Sequence, residues 1–221
     1  MRVAEPPAPD AIAELTRGAR RFGLRLPAEA ITRFRTYLDV ILQWRQRVSL
    51  TTATTPLALV REHLLDSLAV ARFVKPGDRV ADLGSGGGLP GVPLAIVCPA
   101  ASVALIEPRR KKANFLRAVA RAAPLPNVEV VEARAEALLN GDPETYDLVV
   151  SRAVWQLRDF LPLAARLLRP TGLAVALKGP KALAQPRCSV RGLSQAEIVR
   201  YELPGGISHW LFVYRKTERS T

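Results

Sequence analysis

The sequence predicts an α/β fold: a mostly parallel, seven-stranded, doubly wound sheet that ends in an antiparallel hairpin and carries an N-terminal helical extension. Three observations support this. From residue 79 onward short apolar runs alternate with segments of helical periodicity, the pattern of repeated strand-helix-strand units. Gly84, Gly86, Gly87 and Gly88 cluster between the first such run and the first helix after it. The last two β-like runs have only Pro204-Gly205-Gly206 between them, too short for a crossover helix, so they must pair antiparallel.

The elements follow in order. Residues 1–9 hold three prolines and read as a loose arm. Apolar residues recur at helical spacing from Asp10 to Phe22 and from Ala28 to Arg47, for example Ile31, Phe34, Leu38, Ile41 and Leu42, with Pro27 able to open the second helix. A third helix is expected from Pro56 to Phe73. The turn Lys75-Pro76-Gly77-Asp78 leads into the first strand and marks a boundary: residues 1–75 are the extension and 76–221 the sheet domain, the two forming one structural unit. Beyond it, strands are expected at 79–83, 102–106, 128–132, 146–151 and 172–177, with helices at 91–98, 109–121, 135–140 and 157–168 between them. The hairpin strands are expected at about 195–203 and 208–216.

With 221 residues, 48% of them hydrophobic, the chain can bury a substantial core. No apolar run approaches a membrane span, and MRVAEPPAPD lacks the regions of a signal peptide, so a cytoplasmic protein without membrane partners is expected. Cys98 and Cys188 are too few and too far apart for a disulfide framework or a metal site. The net charge of +12 is uneven. Residues 1–75 hold 12 Lys/Arg against 7 Asp/Glu, residues 76–150 hold 8 against 9, and residues 151–221 hold 12 against 4. Basic flanks around a neutral middle suit a polyanion lying across a cofactor domain, although an arginine-rich composition contributes to the excess.

Val80-Ala81-Asp82-Leu83-Gly84-Ser85-Gly86-Gly87-Gly88 reads as a strand with an acid just before a glycine turn, where the backbone can approach a ligand closely. Two cofactor classes fit. Gly86, Gly88 and Gly91 match the G-x-G-x-x-G spacing of dinucleotide binders, with Glu107 about 20 residues on to take a ribose hydroxyl. Read from Asp82, the same string resembles the first motif of S-adenosylmethionine (SAM) methyltransferases, whose glycines make room for the methionine part of the ligand. In both readings Glu107, ending the second strand, sits beside the loop, and the helix after Gly91, with Pro93 in its first turn, points its N-terminus at the cofactor. A plain turn would not need so many glycines, which cost backbone entropy. Alternating units closed by an antiparallel hairpin fit the Rossmann-like methyltransferase arrangement better than an all-parallel dinucleotide fold.

The chemistry narrows by elimination. Carbon methylation uses a cysteine nucleophile in a Pro-Cys or Thr-Cys turn, but Cys98 follows Val97 and Cys188 follows Arg187. Exocyclic amine methylation commonly uses an Asp/Asn-Pro-Pro-aromatic turn after the fourth strand, where this chain has Ser151-Arg152-Ala153-Val154. An acceptor that is already nucleophilic remains, such as a guanine ring nitrogen, and needs only alignment with the methyl group.

Several separated strings resemble the glucose-inhibited division protein B family (RsmG/GidB), from roughly Phe34 to Lys216. They are His63-Leu64-Leu65-Asp66-Ser67, the glycine turn through Ile96, Glu107 with Lys111-Lys112 and Phe115-Leu116, Pro126-Asn127-Val128, Arg134-Ala135-Glu136, Ser151-Arg152-Ala153, and Lys178-Gly179. The resemblance implies a SAM-dependent methyltransferase acting on guanine N7 in 16S ribosomal RNA of the small subunit, with no obligate protein partner indicated. It places cofactor contacts at Gly84, Leu89, Ala135, Glu136 and Arg152, beside Asp82, Gly86, Gly88 and Glu107 from the turn itself. Many members carry an aromatic residue at the Leu89 position and asparagines where Arg45 and Ser49 stand.

His63 and Asp66, three apart on a helix face, read from spacing alone as a surface pair; the resemblance moves both to the active-site mouth. Arg152 and Lys178 end neighbouring strands and are expected on the substrate side, positioning rather than transferring protons. The run Arg109-Arg110-Lys111-Lys112 is expected to meet phosphate. Two other functions stay open: an NAD-dependent oxidoreductase, for which only His63 and His209 offer a proton donor, and a non-catalytic RNA-binding protein on a methyltransferase-like fold.

Overall fold

A computed structural model describes residues 9–141, 144–152, 156–180 and 188–217. Residues 1–8 of the expected arm lie outside the described residues, as do Ala153 and Val154; Pro9 opens the first helix. Helices α1 (Pro9–Arg21) and α2 (Ala28–Trp44) form where the apolar periodicity puts them, α2 entered from an extended Pro27. The single helix expected over 56–73 is broken into pieces. These are α3 (Pro56–Leu59), a π-helical turn over Val60–Leu64, α4 (Leu65–Leu68) and a 3-10 turn over Ala71–Phe73. The wider π turn rotates α4 relative to a continuous helix. Apolar spacing did not reveal it, because Leu59, Val60, Leu64, Leu65 and Leu68 are all buried regardless.

The sheet strands are β1 (Arg79–Leu83), β2 (Ser102–Ile106), β3 (Val128–Val131), β4 (Tyr146–Arg152), β5 (Leu168–Lys178), β6 (Leu193–Leu203) and β7 (Ile207–Lys216). Their order is β3-β2-β1-β4-β5-β7-β6. Strands β1 to β5 are parallel, and β7 pairs antiparallel with both β5 and β6, as the short Pro-Gly-Gly turn requires. Between them run α5 (Gly91–Val97), α6 (Arg110–Ala122) and α7 (Leu157–Leu167). Residues Ala135–Asn140 form a 3-10 helix. Strand β5 starts earlier than expected because Pro170-Thr171-Gly172, a turn by composition, is absorbed as a bulge. The register jumps from Tyr146↔Leu168 to Leu148↔Leu173, with Thr171 at φ 66°.

Strand alternation divides the core into two layers. Val80, Leu105, Val150 and Val175 pack with Phe34, Tyr37 and Leu38 of α2 and Leu64 and Leu68 of the broken helix. Ala81, Val149, Ala174 and Phe212 pack on Phe160, Leu161 and Ala164 of α7. The N-terminal helices therefore complete one face of the core. By the same alternation the side chain of Asp82 falls on the face they cover. Strand β1 pairs with β2 on one side and β4 on the other, so the chain direction of winding reverses there, and a crevice opens at the carboxyl ends of the strands.

Candidate active site

The glycine turn is clamped from below. Gly84 N–H and Ser85 N–H both donate to Ile106 O, at 2.9 and 3.0 Å. Glu107, 4% exposed, accepts from Gly86 N–H through Oε2 and from Arg109 N–H through Oε1, each at 2.9 Å. One carboxylate thus holds both loops and keeps further lone pairs for ligand hydroxyls. From above, the Tyr37 hydroxyl of α2 donates to Gly87 O at 2.5 Å. The positive φ of Gly84 (76°), Gly86 (55°) and Gly88 (87°) explains the glycine density.

Asp82 is fully buried. Its Oδ2 accepts from Gly91 N–H at 3.0 Å, while Oδ1 has no hydrogen-bond partner among the described residues. Burial pushes its carboxyl up to about 7, against the opposing pull of the Gly91 N–H, the Ser85 hydroxyl and Arg152. Gly91 cannot be replaced cheaply, because a Cβ there would stand 2.2 Å from Leu105 and 2.8 Å from Asp82 Oδ2.

A cleft of about 300 Å³ opens beside the turn, lined by Gly84, Gly86, Glu107, Arg109, Lys112, Arg134, Ala135 and Glu136 among others. Of the residues expected at the cofactor, these include Gly84, Gly86, Glu107, Ala135 and Glu136. Asp82, Gly88 and Leu89 are instead buried, with the Leu89 side chain packed into the core. The basic run splits: Arg109 and Lys112 line the cleft, whereas Arg110 and Lys111 are exposed outside its lining.

The expectation that the α5 N-terminus serves the cofactor needs correction. Gly91 N–H is taken by Asp82, Val92 N–H by Gly88 O and Leu94 N–H by Pro90 O, and Pro93 has none. No N–H in that first turn remains for a pyrophosphate. The first turn of α5 therefore lacks the free donors that a dinucleotide takes from a helix N-terminus. A ligand offering hydroxyls to Glu107 suits the turn instead.

At the end of β4 the structure brings together three of the expected site residues and adds two more: Tyr201, which sequence reasoning missed, and His209, which it named only as a proton donor for an oxidoreductase. Arg152 Nη1 donates to Asp66 Oδ2 at 3.2 Å and to His63 Nδ1 at 3.1 Å. Asp66 Oδ1 accepts from the Tyr201 hydroxyl at 2.5 Å and from His209 Nδ1 at 2.9 Å. Burial alone would raise the Asp66 carboxyl, but His209, Arg152 and Tyr201 outweigh it and hold it below the usual range. Burial, with Arg152 adding to it, lowers His63, so the ring accepts as neutral imidazole. Asp66 is 3% exposed, so its carboxylate meets these side chains and not solvent. Lys178 ends the adjacent strand, half-buried, and burial lowers its ammonium. Tyr201 and His209 had no local signal: each is one residue in a strand, 135 and 143 positions from Asp66.

Cys98 closes α5, which runs back from the turn, and burial pushes its thiol up to about 11. It is neither near the cleft nor ionised at neutral pH. Among the described residues, no group of three His, Cys, Asp or Glu side chains forms a metal cage, and no helix is long and apolar enough to cross a membrane.

Residues 30–207 match the model of the GidB family, described as rRNA small subunit methyltransferase G. A Xanthomonas oryzae protein named ribosomal RNA small subunit methyltransferase G is 39% identical over 211 residues, 95% of this chain and 97% of that one. A protein of the same name from Chromobacterium violaceum is 36% identical over 194 residues, covering 87% and 91%. Among solved structures, TrmN from Thermus thermophilus aligns with a TM-score of 0.56 at 24% identity over 69% of this chain and 48% of that one. MtNAS, in complex with MTA and tNA, aligns with a TM-score of 0.54 at 17% identity over 94% and 71%. These two likenesses show the fold.

Proposed function

The chain belongs to the GidB family, rRNA small subunit methyltransferase G, and on that premise we propose that it uses SAM to methylate a guanine N7 in 16S ribosomal RNA. One observation carries the proposal. The cleft at the glycine turn offers the acceptor Glu107, with Asp82 buried at the base of the turn and its Oδ1 unpartnered among the described residues, and the first turn of α5 offers no free N–H for a pyrophosphate. SAM, whose sulfonium supplies an electrophilic methyl group, presents two ribose hydroxyls and an ammonium to those carboxyl groups. The same observation disfavours NAD.

Guanine N7 carries an exposed lone pair and no proton, so the protein has to align rather than deprotonate. In this reading Arg152, fixed by Asp66 and His63, and Lys178 on the neighbouring strand position the base and its phosphates. Arg109 and Lys112 stand at the cleft wall, where they orient cofactor or RNA backbone. Residues 1–75 act as an extension folded onto the sheet domain. The basic flanks meet RNA within the small subunit, in the cytoplasm. Calorimetric titration with SAM and with NAD, followed by labelled-methyl transfer to small subunits and to naked 16S RNA, tests the proposal. SAM binding with transfer to either substrate supports it; NAD binding, or SAM binding without transfer to any RNA, contradicts it.

A further inference from the structure

We propose that Tyr201 and His209, both on the C-terminal hairpin, are positioning residues of the methyl transfer: they fix the Asp66 carboxylate, which in turn holds the Arg152 guanidinium. The inference rests on the reading that Arg152 acts at the reacting groups. The geometry divides the carboxylate in two. Oδ1 takes the Tyr201 hydroxyl and His209 Nδ1, and Oδ2 takes Arg152. Rotation about the terminal bond of an aspartate is soft. Two donors on one oxygen lock that rotation and so set where the other oxygen lies.

The donors are themselves held. Tyr201 on β6 and His209 on β7 are directly paired across the hairpin, and their rings meet at 5.9 Å between centroids. Tyr201 also packs edge-on against Phe22, just beyond α1, at 5.9 Å. Burial and the neighbouring Asp66 push the Tyr201 phenol far up, so it stays a donor throughout the working pH range. An ionised carboxylate only accepts, so the proton on His209 is at Nδ1. The extension supplies Asp66, the hairpin supplies its two donors, and the parallel sheet supplies Arg152. Anchoring the hairpin would need only the two donors on Oδ1; the same carboxylate also holds Arg152 through Oδ2, so the hairpin donors set the position of the oxygen that Arg152 meets.

The test is a kinetic cycle on the full-length protein with small subunits or 16S RNA as substrate. Tyr201→Phe removes one charge-assisted hydrogen bond and is expected to lower kcat by about tenfold while leaving KM for SAM and calorimetric SAM affinity unchanged. His209→Ala is expected to behave alike, and His209→Asn, which keeps an N–H donor in the Nδ1 position, to recover most of the loss. Arg152→Ala combined with Tyr201→Phe should turn over no more slowly than Arg152→Ala alone, because the tyrosine acts through the arginine. Multiplicative losses in the double variant would overturn the proposal, as would failure of His209→Asn to exceed His209→Ala. Equal losses of SAM affinity and kcat would assign the pair a structural role instead. If Arg152→Ala leaves turnover unchanged while Tyr201→Phe lowers it, the relay is refuted; if neither lowers it, the assignment of Arg152 fails as well.

Discussion

Asp82→Asn should gain stability relative to the wild-type protein as pH rises, while weakening SAM binding. The folded carboxyl sits at about 7 against an ordinary value of 3.8. Below about 3.8 both folded and unfolded states hold the proton, and Asp82 has no effect on stability. As pH rises toward 7 the unfolded chain releases the proton while the folded chain keeps it, so stability falls by about 1.4 kcal/mol per pH unit. Above the folded value the loss levels off. Between pH 5 and pH 8 the wild-type protein therefore loses about 3 kcal/mol that the asparagine variant does not. For a chain of this size that is roughly 5–10 °C in Tm. The amide left unpaired at the Oδ1 position costs about 1–3 kcal/mol, but equally at every pH, so the slope isolates the carboxyl. Thermal melts of both proteins at half-unit steps from pH 5 to 8 read it directly. A Tm difference that stays flat across that range would show that the carboxyl is ionised at pH 5 and refute the reasoning. Calorimetry on the same samples should show SAM affinity reduced at least about tenfold in the variant, the loss of one charged hydrogen bond.

Three further outcomes follow. Gly84→Val places a β-branched residue at φ 76°, so SAM binding should be lost while circular dichroism retains the native helix and strand content; unchanged affinity would remove the turn from the site. Cys98→Ala and Cys188→Ala should keep turnover within about twofold, since the Cys98 thiol is pushed up to about 11 and no nucleophile is required; a large loss in either would point to covalent catalysis. Raising salt should weaken RNA binding steeply through released counterions and change SAM affinity little, given basic flanks of 12 against 7 and 12 against 4; equal responses would mean that the basic flanks do not meet RNA.

What the sequence made legible was local or periodic. Parallel strands buried on both faces read as short apolar runs, and Leu83 and Ile106 end β1 and β2 where those runs stop. The glycine turn and Glu107 were visible because a positive φ requires glycine, and because an acid at a strand's carboxyl end has few structural reasons to be there. Side-chain convergence was not legible. Tyr37 carries the apolar period of α2 and looks like core, yet its hydroxyl ends on Gly87, 50 residues away. Tyr201 and His209 look like ordinary strand residues until the hairpin folds over Asp66. The π turn was hidden because every apolar position it displaces is still buried. The occupied N-terminus of α5 could not be read either, since it depends on which way the Asp82 carboxylate turns.

The most direct measurement is nucleoside analysis of small-subunit RNA after transfer from methyl-labelled SAM. The label is expected on 7-methylguanosine alone, at a single position that reduction and aniline cleave. Label on cytosine C5 or on an adenine amine would contradict the account, because the first uses a cysteine in a Pro-Cys or Thr-Cys turn and the second commonly an Asp/Asn-Pro-Pro-aromatic turn, and this chain carries neither sequence.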